Sequence, residues 1–253
     1  MCYITSKPMN RSEIFQSLDR FRKGLLQILI VLVCLCILVF PFSKTFLRYL
    51  QRSNLQTDLV AFGIPEAFLS TLKLTLFVSL FLSVPIIFYR LWKSFAPLFR
   101  LNDSRSMLPL FLISLLLFYL GASFCYFVTL PFGIRFLLGY QSAYVKPMIS
   151  VERYISFCAV FTFAFGITFE LPLVLALLSY LKMVTARFLT KNRRYAILLI
   201  AILSAVVTPT PDVFNMGLMG GPLYVLFEIG VLMVKIIEAK RVRAESRAPS
   251  ASP

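Results

Sequence analysis

Six runs of apolar residues follow one another along the chain, at about 24–42, 67–88, 107–130, 154–181, 195–208 and 214–237. A hydrocarbon core about 30 Å thick is crossed by about 20 helical residues, each rising about 1.5 Å. The second, third, fourth and sixth runs meet that length, and the first nearly does. The fifth stops at Thr208-Pro209-Thr210-Pro211 and makes a helix of roughly 20 Å. Its return loop therefore lies below the membrane surface, or the bilayer thins around it. The first run is too long for a cleavable signal sequence and lacks a small-residue cleavage site after it, so it reads as a retained anchor.

Composition closes off the other classes. Hydrophobic residues make up 59% of the 253 positions and charged residues 15%, against about 45–50% and about 25% in soluble domains. A soluble enzyme cannot be covered by so little polar surface. The 26 Phe and 11 Tyr are the opposite of the composition of a disordered chain. The chain has no His, which removes histidine metal sites and histidine-based triads; no metal, cofactor or catalytic centre is expected. A net charge of +15 would point to nucleic acid in a soluble protein, but these cations sit between the apolar runs, where they orient a membrane protein. Cys34, Cys36, Cys125 and Cys158 lie in apolar runs, and with Cys2 they form no CxxC; they read as small buried side chains.

Nineteen of the Lys and Arg residues lie in the N-terminal segment, the connections after the second and fourth runs, and the tail. Only Lys44, Arg48, Arg52, Arg135, Lys146 and Arg153 lie opposite. With an even number of spans, the positive-inside rule places both termini in the cytoplasm. Lys73, inside the second run near its outer end, is expected to snorkel. The expected fold is an all-α polytopic membrane protein: one domain over 1–237 with six transmembrane helices and a short fifth, then a disordered cytoplasmic tail over 238–253. No internal repeat is visible, which weighs against a transporter built from duplicated halves.

An ionisable side chain in hydrocarbon costs about 2.5–3.5 kcal/mol on insertion scales, so each one is a functional hypothesis. Glu170, well inside the fourth run, is the clearest. Pro172 has no N–H and crowds the carbonyl of Thr168, so the helix should kink beside the acid. Glu170 then either locks two helices through an internal hydrogen bond or receives a polar group from another chain. Glu228, in the sixth run about two turns before Lys235, reads as binding the cytoplasmic boundary or an internal partner. On the basic face, Asp19 and Asp103 are the natural receivers of an incoming Arg, and Asp103 also reads as the N-cap of the third helix. Pro65 and Glu66 read as the start of the second helix, where a fixed φ favours initiation and an acid meets the helix dipole. Ser150-Val151-Glu152-Arg153 does the same for the fourth. Gly220-Gly221-Pro222 implies a bend or a close helix contact in the sixth.

Several ordered motifs accompany these residues: Pro65-Glu66-Ala67-Phe68 with Lys73, Pro85 with Tyr89 and Trp92, and Phe95-Ala96-Pro97-Leu98-Phe99. Phe118-Tyr119-Leu120-Gly121 runs on to Pro131, followed by Phe165-Gly166 with Phe169-Glu170-Leu171-Pro172. Arg193-Arg194-Tyr195, Thr208-Pro209-Thr210-Pro211-Asp212 and Phe227-Glu228-Ile229-Gly230 complete the set. Over about 17–237 the chain resembles the TatC family, the multispanning receptor of the twin-arginine protein translocase. The resemblance implies a concave six-helix scaffold, multi-pass in the bacterial inner membrane or an equivalent organelle membrane, forming a homo-oligomer within its complex. It implies binding of twin-arginine signal peptides of folded cargo, packing of single-span TatA- and TatB-like subunits, and transport driven by the proton-motive force without nucleotide. It assigns Asp103 to the loop acid that receives the arginines, and Glu170 and Thr208 to contacts with the partner subunits. The family's N-terminal motif, usually H-L-x-E-L-R, reads here Ser17-Leu18-Asp19-Arg20-Phe21-Arg22. Arg20 occupies the acid position, and Asp19 lies about 100° away around a helix, so Asp19 substitutes only if the segment shifts or is irregular. The alternative from the residues alone is a proton-coupled small-molecule transporter with Glu170 as its titrating group, for which a second central acid and duplicated halves are lacking.

Overall fold

The computed structural model describes residues 11–54, 59–95, 104–139, 149–207 and 213–247. Among them, five helical stretches are long and apolar enough to cross a membrane: Leu26–Arg48, Pro65–Lys93, Leu108–Phe136, Val151–Tyr180 and Met216–Arg241. The remaining run is the short helix α9 (Arg193–Val207) of 15 residues, about 22 Å long.

The first span is α1 (Arg11–Val39), which tightens through the 3₁₀ turn Phe40–Phe42 and continues as the amphipathic α2 (Ser43–Asn54). The hydroxyl of Ser43 donates to the carbonyl of Phe40 at 2.7 Å across that turn. A two-residue strand, β1 (Leu59–Val60), pairs in parallel with β2 (Ile149–Ser150), Leu59 opposite Ile149 and Val60 opposite Ser150. The second span is α3 (Ile64–Phe95). The third consists of α4 (Ser104–Phe124), a π-helical turn Cys125–Thr129 and α5 (Leu130–Leu138), so it extends past residue 130. Pro131 has no N–H to give to the carbonyl of Phe127, and the wider turn precedes it.

The fourth span is two helices, α6 (Val151–Phe169) and α7 (Leu171–Tyr180), separated at Glu170. The short α8 (Ala186–Lys191) leads into α9, and α10 (Val213–Arg247) closes the chain. The expected disorder from residue 238 is corrected over 238–247, where α10 continues to Arg247. Ala239, Lys240, Arg241, Arg243, Ala244 and Glu245 are strong helix formers, and they carry the helix on from its membrane segment.

The spans are held by close approach of small residues, the packing that remains available where lipid tails are as apolar as Leu. α4 lies against α6, α1 and α6 against α3, and α7 and α9 against α10. A Cβ placed on Gly121 of α4 would lie 2.7 Å from the backbone oxygen of Phe165 and 2.6 Å from Cγ of Phe169. Reciprocally, a Cβ on Gly166 would meet Cε2 of Phe118 at 2.6 Å. The aromatic rings of one helix thus fill the gaps left by the glycines of the other, and Phe118 and Phe165 are completely buried. Gly230 plays the same part between α10 and α7, where a Cβ would lie 2.6 Å from Leu175 and 3.3 Å from Cα of Pro172. α10 runs through Pro222 as one helix, and it packs on α9 at the preceding Gly220, where a Cβ would lie 3.4 Å from Oγ of Ser204. Buried hydroxyls on α3 turn back on their own helix: Ser70 to the carbonyl of Glu66 (2.6 Å), Thr75 to Thr71 (2.8 Å) and Ser83 to Leu80 (2.7 Å). They fill space without exposing a polar group to lipid.

Glycines in contact and glycines in the open should therefore respond differently. Gly121→Ala should destabilise the protein by about 1–3 kcal/mol through overpacking. Gly221→Ala, where a Cβ meets nothing within 4 Å, should be neutral or stabilise by up to about 1 kcal/mol through helix propensity. Thermal unfolding of both variants in the same detergent makes the comparison; equal midpoints would show that the α4–α6 contact is not tight.

Candidate functional site

The joint between α6 and α7 carries the one intramembrane acid singled out in the fourth run. Glu170 keeps helical dihedrals, φ −71° and ψ −15°. Its N–H donates to the carbonyl of Ile167 at 3.1 Å, and its own carbonyl accepts from the N–H of Val174 at 2.9 Å. Pro172 stands in the first turn of α7, where a missing N–H leaves no bond unmade. The proline therefore interrupts the helical hydrogen bonding at the acid and starts the second helix directly, where the sequence placed a kink.

The carboxyl group of Glu170 is treated unequally by its surroundings. Oε2 accepts a hydrogen bond from Oγ of Ser114 on α4 at 2.9 Å, and Ser114 is buried. Oε1 is buried and has no hydrogen-bond partner. A carboxyl oxygen removed from water and left unpaired is costly, so a donor brought to it would be bound strongly. One turn from Ser114, Phe118 packs edge-on against Phe88 and Tyr119, and Tyr119 donates to the carbonyl of Phe81 at 3.2 Å. This aromatic packing fixes α4 against α3 and α6 and so fixes the hydroxyl that meets Glu170. Ser114 was missed in the sequence. The available signal was depth: Ser114 lies six residues into the third span and Glu170 ten before the end of the fourth, a comparable level in two antiparallel helices.

At the opposite end of the spans a second polar cluster ties α3 to α6. Glu66, in the first turn of α3, accepts from the N–H of Phe62 and from Oγ of Ser150. Ser150 also caps α6, accepting from the N–H of Arg153 at 3.3 Å. Lys73 forms an ion pair with Glu152, so the expected snorkelling cation instead has a carboxylate from the next span. Pro65, Glu66 and Glu152 act as the helix-start signals they resemble, and Glu66 also joins the start of α3 to Ser150 of β2.

A third cluster joins α9 and α10. Arg193 pairs with Glu228 at 3.0 Å, and the hydroxyl of Tyr224 donates to the other oxygen of Glu228 at 3.0 Å. Glu228 is thus engaged within the chain, which distinguishes it from Glu170. Asp103 and Thr208 lie outside the described residues, as does the side chain of Asp19, whose backbone is part of α1.

Known proteins of the same architecture bear on this arrangement. Residues 16–222 match the family described as Sec-independent protein translocase protein (TatC). The Sec-independent protein translocase protein TatC of Carboxydothermus hydrogenoformans is 33% identical over 246 residues, covering 96% of this chain and 100% of that protein. The chain belongs to the TatC family. The Escherichia coli K12 TatC is 32% identical over 231 residues, 88% of each chain. The crystal structure of a twin arginine translocase receptor, TatC, superposes with a TM-score of 0.77 at 32% identity, covering 87% of this chain and 98% of that one. The protein is accordingly a multi-pass inner-membrane protein, and the transporter alternative finds no support among these relatives.

The Ser114–Glu170 contact makes a direct prediction for a TatC scaffold. Ser114→Ala should cost about 1–3 kcal/mol, because both oxygens of a buried carboxyl are then unpaired. Ser114→Ala combined with Glu170→Leu should recover part of that loss. Unfolding midpoints of the single and double variants in detergent test this; an additive double variant would show that the two side chains do not interact.

Proposed function

We propose that this translocase component works as the receptor of a twin-arginine pathway, with both chain ends in the cytoplasm, and that Glu170 is where a partner helix is held within the bilayer. Family membership supports the receptor role, since the solved relative is a twin arginine translocase receptor. The observation that carries the site assignment is the half-satisfied carboxyl of Glu170: one oxygen on Ser114, the other buried and unpaired. A single-span helix presenting a hydroxyl, amide or basic group at that depth completes the pairing. Thr208, which follows Val207 in the sequence, is assigned to the same partner subunits, of TatA and TatB type.

Recognition of the signal peptide is assigned to the cytoplasmic surface. That surface is strongly basic, so an incoming pair of arginines is repelled except at an acidic group. Asp103 is the proposed receiver, because a partly shielded carboxylate discriminates guanidinium from ammonium by bidentate geometry. Asp19 is a second receiver only if its helix turns it towards the site that Arg20 occupies in the family motif. The complex is proposed to contain more than one copy of this chain.

Two variants separate these roles. Asp103→Lys should reduce crosslinking of a twin-arginine signal peptide by at least about tenfold while insertion stays normal, since a charge-assisted bond to a carboxylate contributes about 1.5–3 kcal/mol. Undiminished crosslinking rejects Asp103 as the receiver. Glu170→Ala should leave signal-peptide crosslinking intact and abolish co-purification of the single-span subunits and export; normal export in that variant leaves Glu170 with only its bond to Ser114.

A further inference from the structure

The chain between the fourth span and the fifth helix forms a built surface at the membrane boundary. α7 ends where Lys182 takes a φ of 63°, with its N–H on the carbonyl of Ser179 (2.9 Å) and that of Met183 on the carbonyl of Leu178 (3.0 Å). This pairing closes the helix and reverses the chain at once. Thr185 caps α8 by accepting from the N–H of Phe188 at 3.2 Å, and the N–H of Ala186 donates to Oε1 of Glu238 at 3.0 Å. At the other end, Arg193 is anchored on Glu228. Glu238 and Glu228 are ten residues apart on α10, about 15 Å, so α8 lies antiparallel along that helix. Ala186 and Leu189 are buried beneath it.

This arrangement presents charges on its outer side. Arg187 and Lys191, four apart on α8, share one face, and both are exposed. Lys235, also exposed, follows Glu228 by seven residues and so stands on almost the same stripe of α10, about 20° away. Arg194, exposed beside the Arg193 anchor, has its guanidinium carbon 4.9 Å from the ring centroid of Tyr195. Glu228 and Glu238 are both engaged internally, and among the described residues no carboxylate pairs with these four cations. Apolar side chains stand between the charges, with Met183 71% and Phe188 58% exposed. A soluble acidic segment docked here would leave those two side chains in water, whereas cations interleaved with apolar anchors fit the boundary between headgroups and acyl chains.

We propose that Arg187, Lys191, Arg194 and Lys235 bind the phosphate of an anionic phospholipid, whose acyl chains lie along Phe188 and Tyr195. The site needs neither the signal peptide nor a partner subunit, and it fixes the depth of the connection between the fourth span and α9.

The full chain reconstituted in mixed phosphatidylcholine and phosphatidylglycerol, extracted in mild detergent and weighed by native mass spectrometry, should retain phosphatidylglycerol selectively. Each juxtamembrane cation contributes about fivefold to such binding, so Arg187→Gln/Lys191→Gln/Lys235→Gln should lower retention by at least about tenfold. Lys44→Gln/Arg48→Gln/Arg135→Gln, which removes as much charge from the opposite end of the spans, should retain it. Equal loss in both triple variants, or undiminished retention in the first, overturns the site. Displacement of the lipid from the unmodified chain by inorganic phosphate would show a phosphate-ion site instead and also overturn it. Should the first triple variant not fold, the exposed single changes Arg187→Gln and Lys191→Gln each carry the comparison, at about fivefold lower retention.

Discussion

The close approach of α4 and α6 governs the geometry of the molecule. No hydrophobic driving force separates helix from lipid tail in a bilayer, so spans associate only as well as their surfaces interlock. Gly121 and Gly166 give up their side chains, and Phe118, Phe165 and Phe169 occupy the space released. The register of one helix on the other is set by these rings: a shift of one residue would drive an aromatic side chain into backbone. That same register places Ser114 opposite Glu170. The polar contact at the candidate site is therefore a product of apolar packing a turn or more away.

Three polar clusters differ in completeness. At one end of the spans, Glu66, Ser150, Lys73 and Glu152 are paired across α3 and α6. Deeper in the bundle, Glu228 is shared between Arg193 and Tyr224. Near that level, Glu170 has one paired oxygen and one unpaired. Complete clusters hold helices together; an incomplete one has capacity left for something from outside. The proposed docking of a partner helix at Glu170 uses that capacity, and the cost of the unpaired oxygen is borne by the packing around it.

Much of this was legible in the sequence because the bilayer imposes a one-dimensional test. Run length located the five helices long enough to cross a membrane and the shorter α9, and Glu170 was conspicuous because so few charges interrupt the runs. Rotation about each helix axis is a different matter, because lipid surrounds every face equally and leaves little amphipathic signal. The partners Ser114 for Glu170 and Glu152 for Lys73 were accordingly invisible, each being fixed by contacts between helices distant in sequence. The π-helical turn before Pro131, the division of the fourth span at Glu170 and the helical continuation to Arg247 show a further limit. Hydropathy says where a span runs, and backbone hydrogen bonding decides how it is built. Helix α8 was hidden for the opposite reason, being too short to have a period and held by Glu238 from the far end of the chain.

The fourth span is shared. Its first half, α6, is gripped by α3 and α4, and its second half, α7, by α10 through Gly230 against Pro172 and Leu175. During synthesis the first set of neighbours is already present when this segment emerges, while the last is still unmade. The early half can settle immediately, whereas the later half must wait in the lipid until the C-terminal helix arrives. Assembly of the bundle is thereby ordered in time, and nascent chains that stop short of residue 230 leave a loose half-helix hanging from a finished core.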